Sequence, residues 1–351
     1  MLFRSFDRSF ADVSLIAGML IEKFIDHLPL HRQHQRMARS GITVSRSTLT
    51  QLVQRSIELL RPVYDALMAS VMASHVLAID ETPIKAGRRE KGKMQKAYFW
   101  PVYGLQDEVV FTFSTSKSSK HLRPLLENWQ GVLLSDGNPV YDSYCKSRPE
   151  VTLAQCWVHC RRYFVKAEED EPAPVATALG IIGQLYQIEA VLREAGLTSK
   201  EKHLCRQKKS EPLVNEFFSW CHQERQRMDL TARNPLSRAL GYACNHEKQM
   251  RVFLDDPDVP MDTNHLERSL RCITMGRKNY MFCWTEVGAE HVGIAQSLLV
   301  TARLHDIDPF KYLVDILQRI SLHPARQVED LIPRNWKAQF GSNPLKAFPD
   351  K

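Results

Sequence analysis

Apolar residues recur at helical spacing through the first ~75 residues. Ile16, Leu20 and Phe24 fall at i, i+4 and i+8, and Gly41 closes a polar segment carrying Arg32, Arg36 and Arg39. Ser45 is placed to cap the next helix, whose stripe is Leu49, Leu52, Val53, Ile57 and Leu60. Helix, glycine turn and amphipathic helix give the outline of a helix-turn-helix, in which Arg46 and Arg55 either contact phosphates or are simply solvated. From residue 75 the period changes to that of strands, predicted at His75 to Asp80, Lys96 to Tyr103 and Glu108 to Thr115. Two loops join them, one long and basic with Lys85, Arg88, Arg89, Lys91 and Lys93. A helix follows over Ser119 to Trp129, then a strand over Gly131 to Ser135. A helix over Pro139 to Cys145, a fifth strand over Val151 to Cys156 and a helix with Arg161 and Arg162 complete the run.

The predicted order β-β-β-α-β-α-β-α is that of a ribonuclease-H-like fold, with a generic α+β sandwich as the alternative. The fold class expected is therefore α/β, a mixed sheet with an all-helical insertion and a helical N-terminal region. The insertion carries Val175, Leu179, Ile182, Leu185 and Leu192, then Leu236, Leu240, Ala243 and Phe253, at helical spacing. Asp255 to Pro260 closes it with a non-helical link. Asp308 and Pro309 open a last helix as cap and first residue. This divides the chain into a helical region (1–74), a first part of the core (75–165), the insertion (166–258), the rest of the core (259–325) and a tail (326–351). The tail is expected to be poorly ordered from about Asn335.

Composition changes this picture little. A formal net charge of +7 is compatible with nucleic acid without requiring it. The eight cysteines are dispersed. With no signal-peptide pattern at the start, they read as reduced, mostly buried thiols of a cytoplasmic protein. No uninterrupted apolar run reaches the roughly 18 to 20 residues of a membrane span.

Three acids stand out by position. Asp80 and Asp136 each follow an apolar strand pattern, and Glu267 opens an amphipathic helix. Carboxylates gathered from strand ends and a helix can hold two divalent metals for in-line phosphoryl transfer. Each has an ordinary alternative: a turn cap at Asp80, a turn residue at Asp136, and a capping box with Asn264 as cap at Glu267. Glu81 and Asp142 are the competing carboxylates. Arg268, Arg271, Arg277 and Lys278 follow Glu267 and are suited to holding a DNA backbone, with an i, i+4 ion pair from Glu267 to Arg271 as the plain reading. Tyr280 and Trp284 could stack on a flipped base, although beside Met281 and Phe282 they fit a core better. Cys156, His159 and Cys160 supply three possible metal ligands, but no matching pair follows at zinc spacing. Packing is the better reading there. No phosphate-binding G-x-x-x-x-G-K-[ST] run is present.

Several phrases also match a known family. They are Asp26 to Gln33, Gly41 to Thr48, Ala78 to Pro83, Ser135-Asp136-Gly137, Cys156 to Arg162, Glu267-Arg268 and Gly276 to Phe282. In these the chain resembles the transposases of the insertion sequence 66 family, as far as about Leu317. The resemblance implies a DDE-type enzyme with a ribonuclease-H-like core that cleaves DNA and joins strands. It makes Asp80, Asp136 and Glu267 the catalytic triad, holding two magnesium ions for which manganese can substitute. Cys156 and His159 become a supporting Cys-x-x-His element. That family carries a longer N-terminal part with a zinc-binding region, which this chain is expected to lack. It also reads Asp-Asn-Asn where this chain has Asp262-Thr263-Asn264.

The expected function is thus metal-dependent cleavage at element ends and strand transfer into target DNA. The expected partners are DNA, a second copy of the chain when DNA is bound, and accessory proteins of the same element. No membrane is expected, and the expected location is the bacterial cytoplasm at the nucleoid. A DNA-binding remnant or regulator without turnover is the alternative, and a nuclease without strand transfer is a third reading.

Overall fold

The computed structural model describes residues 11–90 and 93–347. The first ten residues of the predicted helical region, Lys91 of the predicted basic loop and residues 348–351 of the tail lie outside them. In chain order the helices α1 (Val13–Phe24), α2 (Leu30–Arg39), α3 (Arg46–Leu59) and α4 (Arg61–Met72) come first. Strands β1 (Val76–Ile79), β2 (Thr82–Glu90), β3 (Lys93–Gly104) and β4 (Glu108–Ser114) follow. Next are α5 (Ser119–Leu125), β5 (Gly131–Ser135), α6 (Pro139–Lys146), β6 (Val151–Gln155) and α7 (Trp157–Val165). Helices α8 (Pro172–Glu194), α9 (Ser199–Cys205), α10 (Glu211–Glu224), α11 (Pro235–Asn245) and α12 (Glu247–Asp255) form the insertion. The chain ends with α13 (Asn264–Tyr280), α14 (Glu286–Leu304), α15 (Pro309–Arg319) and α16 (Pro333–Gln339). The class is α/β, and the chain divides into one unit of residues 1–121 with 266–351 and another of 122–265.

In the first unit, β1, β2 and β4 all pair antiparallel with the long strand β3. The basic segment expected as a loop is strand β2. Ile84 and Ala86 turn inward between exposed Pro83, Lys85 and Arg88, an alternation too short and too charged to stand out in the sequence. A register shift between Lys85 and Arg88, with Gly87 in the left-handed region, obscures it further. Ala78 pairs with Tyr103 and Ile79 with Val102, then Thr82 with Phe99 and Pro83 with Tyr98. The register is unbroken across the gap, so β1 and β2 are one line of chain along β3, interrupted only at Asp80 and Glu81.

Helix α14 covers the outer edge of β4. Val109 and Phe111 donate their backbone N–H groups to the hydroxyls of Thr301 (3.1 Å) and Ser297 (2.8 Å). Gly293 allows this approach, since a Cβ there would stand 2.5 Å from the Phe111 carbonyl oxygen. An edge that would otherwise offer unpaired donors is closed by side chains. At the start of the unit, Gly41 has φ +79° between α2 and α3, and the Ser45 hydroxyl caps α3 by accepting from Thr48 N at 3.0 Å. The predicted stripe on α3 is buried, and Arg46 and Arg55 are exposed.

The tail is packed as far as residue 347, against expectation. Leu331, Ile332 and Trp336 are buried. The Trp336 indole donates to the buried Asp315 carboxylate at 2.9 Å, and Asp315 also takes both prongs of Arg319. After Asn335 the anchors are scattered: Trp336, then Phe340 under Arg319 at 4.0 Å, then Leu345, whose N–H also donates to Asp315 at 2.6 Å.

In the second unit, β5 and β6 pair in parallel through the crossover helix α6. The insertion is helical throughout its named elements, and α7 and α10 pack on α8. By length and composition, α8 is long and apolar enough to cross a membrane. The sequence shows no uninterrupted run there because Gln184, Gln187 and Glu189 break it. Its Glu189 forms a two-pronged ion pair with the fully buried Arg206 at 2.7 and 2.8 Å. Arg206 also donates to the carbonyls of Phe253, Asp256 and Val259, fastening the link that the sequence marked as non-helical.

Candidate active site

Asp80 sits where the β1–β2 line is interrupted. Because Val109 and Phe111 send their N–H groups away from β3, their partners Tyr103 and Pro101 turn their own backbone groups toward the β1–β2 edge. By the continuous register, Pro101 stands opposite Asp80. A proline has no N–H to give, so the ladder has no donor at that point. The chain departs from strand geometry there, and the Asp80 Oδ1 accepts the N–H of Glu81 at 2.7 Å. The Asp80 side chain is half-buried. The competing acid Glu81 points elsewhere: its side chain is 4% exposed and paired with Lys117 at 2.6 Å.

Glu267 lies in the same unit, half-buried in the first turn of α13. Asn264, the cap in the alternative reading of Glu267, is the first residue of α13. Its backbone and side-chain amides both donate to Asp262, at 2.9 and 2.7 Å. Beyond Glu267, exposed Arg268, Arg271, Met275 and Lys278 fall at i, i+3, i+7 and i+10 and form one stripe. Arg268 lies within electrostatic reach of Tyr103. Arg277 leaves this stripe and donates to the carbonyl of Pro83, while Cys283 and β2 exchange backbone hydrogen bonds through Lys85 and Gly87. The basic helix is thus pinned to the strand that follows Asp80.

Asp136 belongs to the second unit, one residue past β5. Its Oδ1 accepts from Asn138 N at 3.0 Å, and Asn138 in turn caps α6. Its carbonyl accepts from the Tyr242 hydroxyl at 3.0 Å. Gly137 has φ +81°, and a Cβ there would lie 2.4 Å from Gln155 Nε2 and 2.8 Å from the Tyr242 oxygen. Only glycine fits this turn. Asp142, the other competitor, sits in the first turn of α6, where a carboxylate favours the helix dipole.

Cys156 and His159 open α7. The Cys156 sulfur accepts both the N–H and the hydroxyl of Thr263, each at 3.3 Å. Burial raises the thiol pKa, and these two hydrogen bonds oppose the rise. Arg162 Nη1 and His159 Nε2 are 3.2 Å apart; with the guanidinium as donor, the ring is a neutral acceptor there. Trp157 donates to the Met250 carbonyl at 2.9 Å and packs on Phe217, Phe218 and Phe253. The Cys-x-x-His phrase is therefore a packed junction. The sequence did not reveal Thr263 as the partner of Cys156, or Tyr242 and Gln155 as neighbours of Asp136 and Gly137, because single hydrogen-bonding residues carry no pattern.

Residues 8–291 match the Transposase IS66 family, and residues 297–334 match the IS66 C-terminal element. The uncharacterized protein y4jD of Sinorhizobium fredii (strain NBRC 101917 / NGR234) is 31% identical over 351 residues, covering 95% of this chain and 68% of that protein. The uncharacterized protein y4hP of the same organism is 30% identical over 358 residues, covering 95% of this chain and 64% of that protein. The chain thus spans about two thirds of the length of these relatives. With the family matched across most of its length, the chain belongs to the IS66 family of transposases.

Proposed function

We propose that this chain is the catalytic part of a DDE-type DNA transposase with a ribonuclease-H-like core. It would cut the ends of its element and join them to target DNA. The family match over residues 8–291 carries this reading. The local setting of the acids supports it. Asp80, Asp136 and Glu267 are half-buried oxygen donors, and Asp80 and Asp136 are each oriented by a backbone N–H on one oxygen. Such a donor set suits magnesium, which takes one or two carboxylates per ion and leaves the remaining positions to water and phosphate. When bound, magnesium or manganese supplies activation of the attacking hydroxyl and stabilisation of the leaving oxygen.

The chain's own residues would do the rest. Asp80, Asp136 and Glu267 would hold the metals. Arg268, Arg271 and Lys278 would hold the phosphate backbone along the exposed face of α13, and Arg277 would keep that helix against β2. Cys156 and His159 would support the site through Thr263 and Arg162. The test offers the purified chain intact and pre-nicked element-end DNA with magnesium. Cleavage and joining are expected, and both should be lost in Asp80→Asn and Glu267→Gln. Undiminished joining by either variant would overturn the assignment. DNA binding without nicking at any end would favour a regulator without turnover.

A further inference from the structure

In the first unit, α1, α3, α14 and the segment after α13 enclose a cavity of about 300 Å³. This is at the lower end of the range for small-ligand pockets. Phe24, Tyr280, Phe282 and Trp284 supply rings, and Lys23, Thr50 and Gln54 supply polar groups. Two polar groups there bear on the argument. The Tyr280 hydroxyl is buried and makes no hydrogen bond. The Lys23 ammonium, half-buried, lies over the rings of Phe24 and Tyr280 at 5.3 and 5.9 Å. Burial lowers its pKa, opposed only by Cys283. The unsatisfied Tyr280 hydroxyl is costly to bury, and the Lys23 ammonium also lines the cavity, so both are suited to a ligand with hydrogen-bond acceptors.

The rim is built differently. Trp284 is 60% exposed, which overturns the expectation that it belongs to the core. Arg88 lies over its ring at 4.4 Å, and Phe282 meets it edge-on at 5.2 Å and 82°. Tyr280 is folded back by the glycine one turn earlier: a Cβ on Gly276 would fall 2.5 Å from its ring. Met281 takes a left-handed φ of 60° to turn the chain between the two aromatics. An exposed aromatic gripped by a guanidinium is the composition of a base-stacking platform on nucleic acid.

We infer that this cavity accepts a single unpaired nucleobase of DNA, stacked on Trp284 with its polar edge toward Lys23 and the Tyr280 hydroxyl. The inference rests on the DNA-joining reading, since an enzyme that distorts a duplex can deliver an extrahelical base. Every base has acceptors on its edge and a π-face, so the site needs no fixed sequence.

The probes are a fully paired 30-base-pair duplex and the same duplex carrying one unpaired thymine, with affinities read by fluorescence anisotropy. The expected result is at least fivefold tighter binding of the bulged duplex. In Trp284→Ala this preference should fall below twofold, and Trp284→Phe should retain part of it. With 5-iodouracil at the unpaired position, irradiation should cross-link to Trp284 or Tyr280, mapped by mass spectrometry. Equal binding of both duplexes with no cross-link to this segment would overturn the inference and leave the transposase reading standing. Failure to bind either duplex would overturn both.

Discussion

The sulfur of Cys156 holds Thr263 by two hydrogen bonds, one from its backbone N–H and one from its hydroxyl. Thr263 is the residue before α13, four residues ahead of Glu267. The Cys-x-x-His phrase therefore acts on the entry to that helix. Cys156→Ala would leave both donors buried and unpaired. A loss of about 1–3 kcal/mol is expected in urea unfolding. Cleavage should fall more than binding of paired DNA, because the exposed basic stripe on α13 is retained. Unchanged stability and activity would show that this junction is only packing.

Among the acids, position should separate function from structure. Asp80→Asn, Asp136→Asn and Glu267→Gln should each reduce magnesium-dependent cleavage at least a hundredfold with little change in Tm. Glu81→Gln should instead lower stability, because it releases Lys117 from a buried partner. If Glu81→Gln abolished cleavage while Asp80→Asn did not, the choice between these neighbours would be reversed.

The interruption opposite Pro101 is also testable. Pro101→Val restores a backbone N–H facing Asp80 and allows the β1–β2 ladder to close. Tm should hold or rise, cleavage should drop tenfold or more, and a newly protected amide should appear in hydrogen exchange. Activity like that of the wild type would mean that the break plays no part in aiming Asp80.

Gly137→Ala forces a side chain into a left-handed turn already filled by Gln155 and Tyr242. The expected cost is about 1–3 kcal/mol, with loss of cleavage through the displaced Asp136. Arg206→Ala removes the charge that Glu189 and three carbonyls were arranged around, and should cost about 3–5 kcal/mol. Thermal unfolding of the two variants compares these effects directly.

Burial lowers the pKa of His121 to about 4. The folded protein therefore keeps this ring neutral where an unfolded chain, titrating near 6.5, takes up a proton. The stability dependent on the neutral ring is complete above about pH 6.5 and is lost as pH falls toward 4. In the upper part of that window few carboxylates titrate, so Tm against pH should slope more steeply in the wild type than in His121→Asn. Parallel curves would count against the buried neutral histidine.

Much of this protein is legible in its sequence. Helical and strand periods placed most elements, since a repeat of apolar positions needs only local geometry to be interpreted. The phrases around Asp80, Asp136 and Glu267 marked the candidate acids and the family. Other features depended on partners far along the chain. Strand β2 is recognised by its pairing with β3, not by its charged residues. The Asp80 break comes from a proline some twenty residues later, and Cys156 finds its role in Thr263, more than a hundred residues away. Trp284 was read as core because apolar neighbours surround it in sequence, yet the turn at Met281 carries it to the surface beside Arg88. Local pattern determines which elements form and which residues are chemically able. Which of them meet is set by backbone donors, buried charges and close approaches that exist only once the chain is folded.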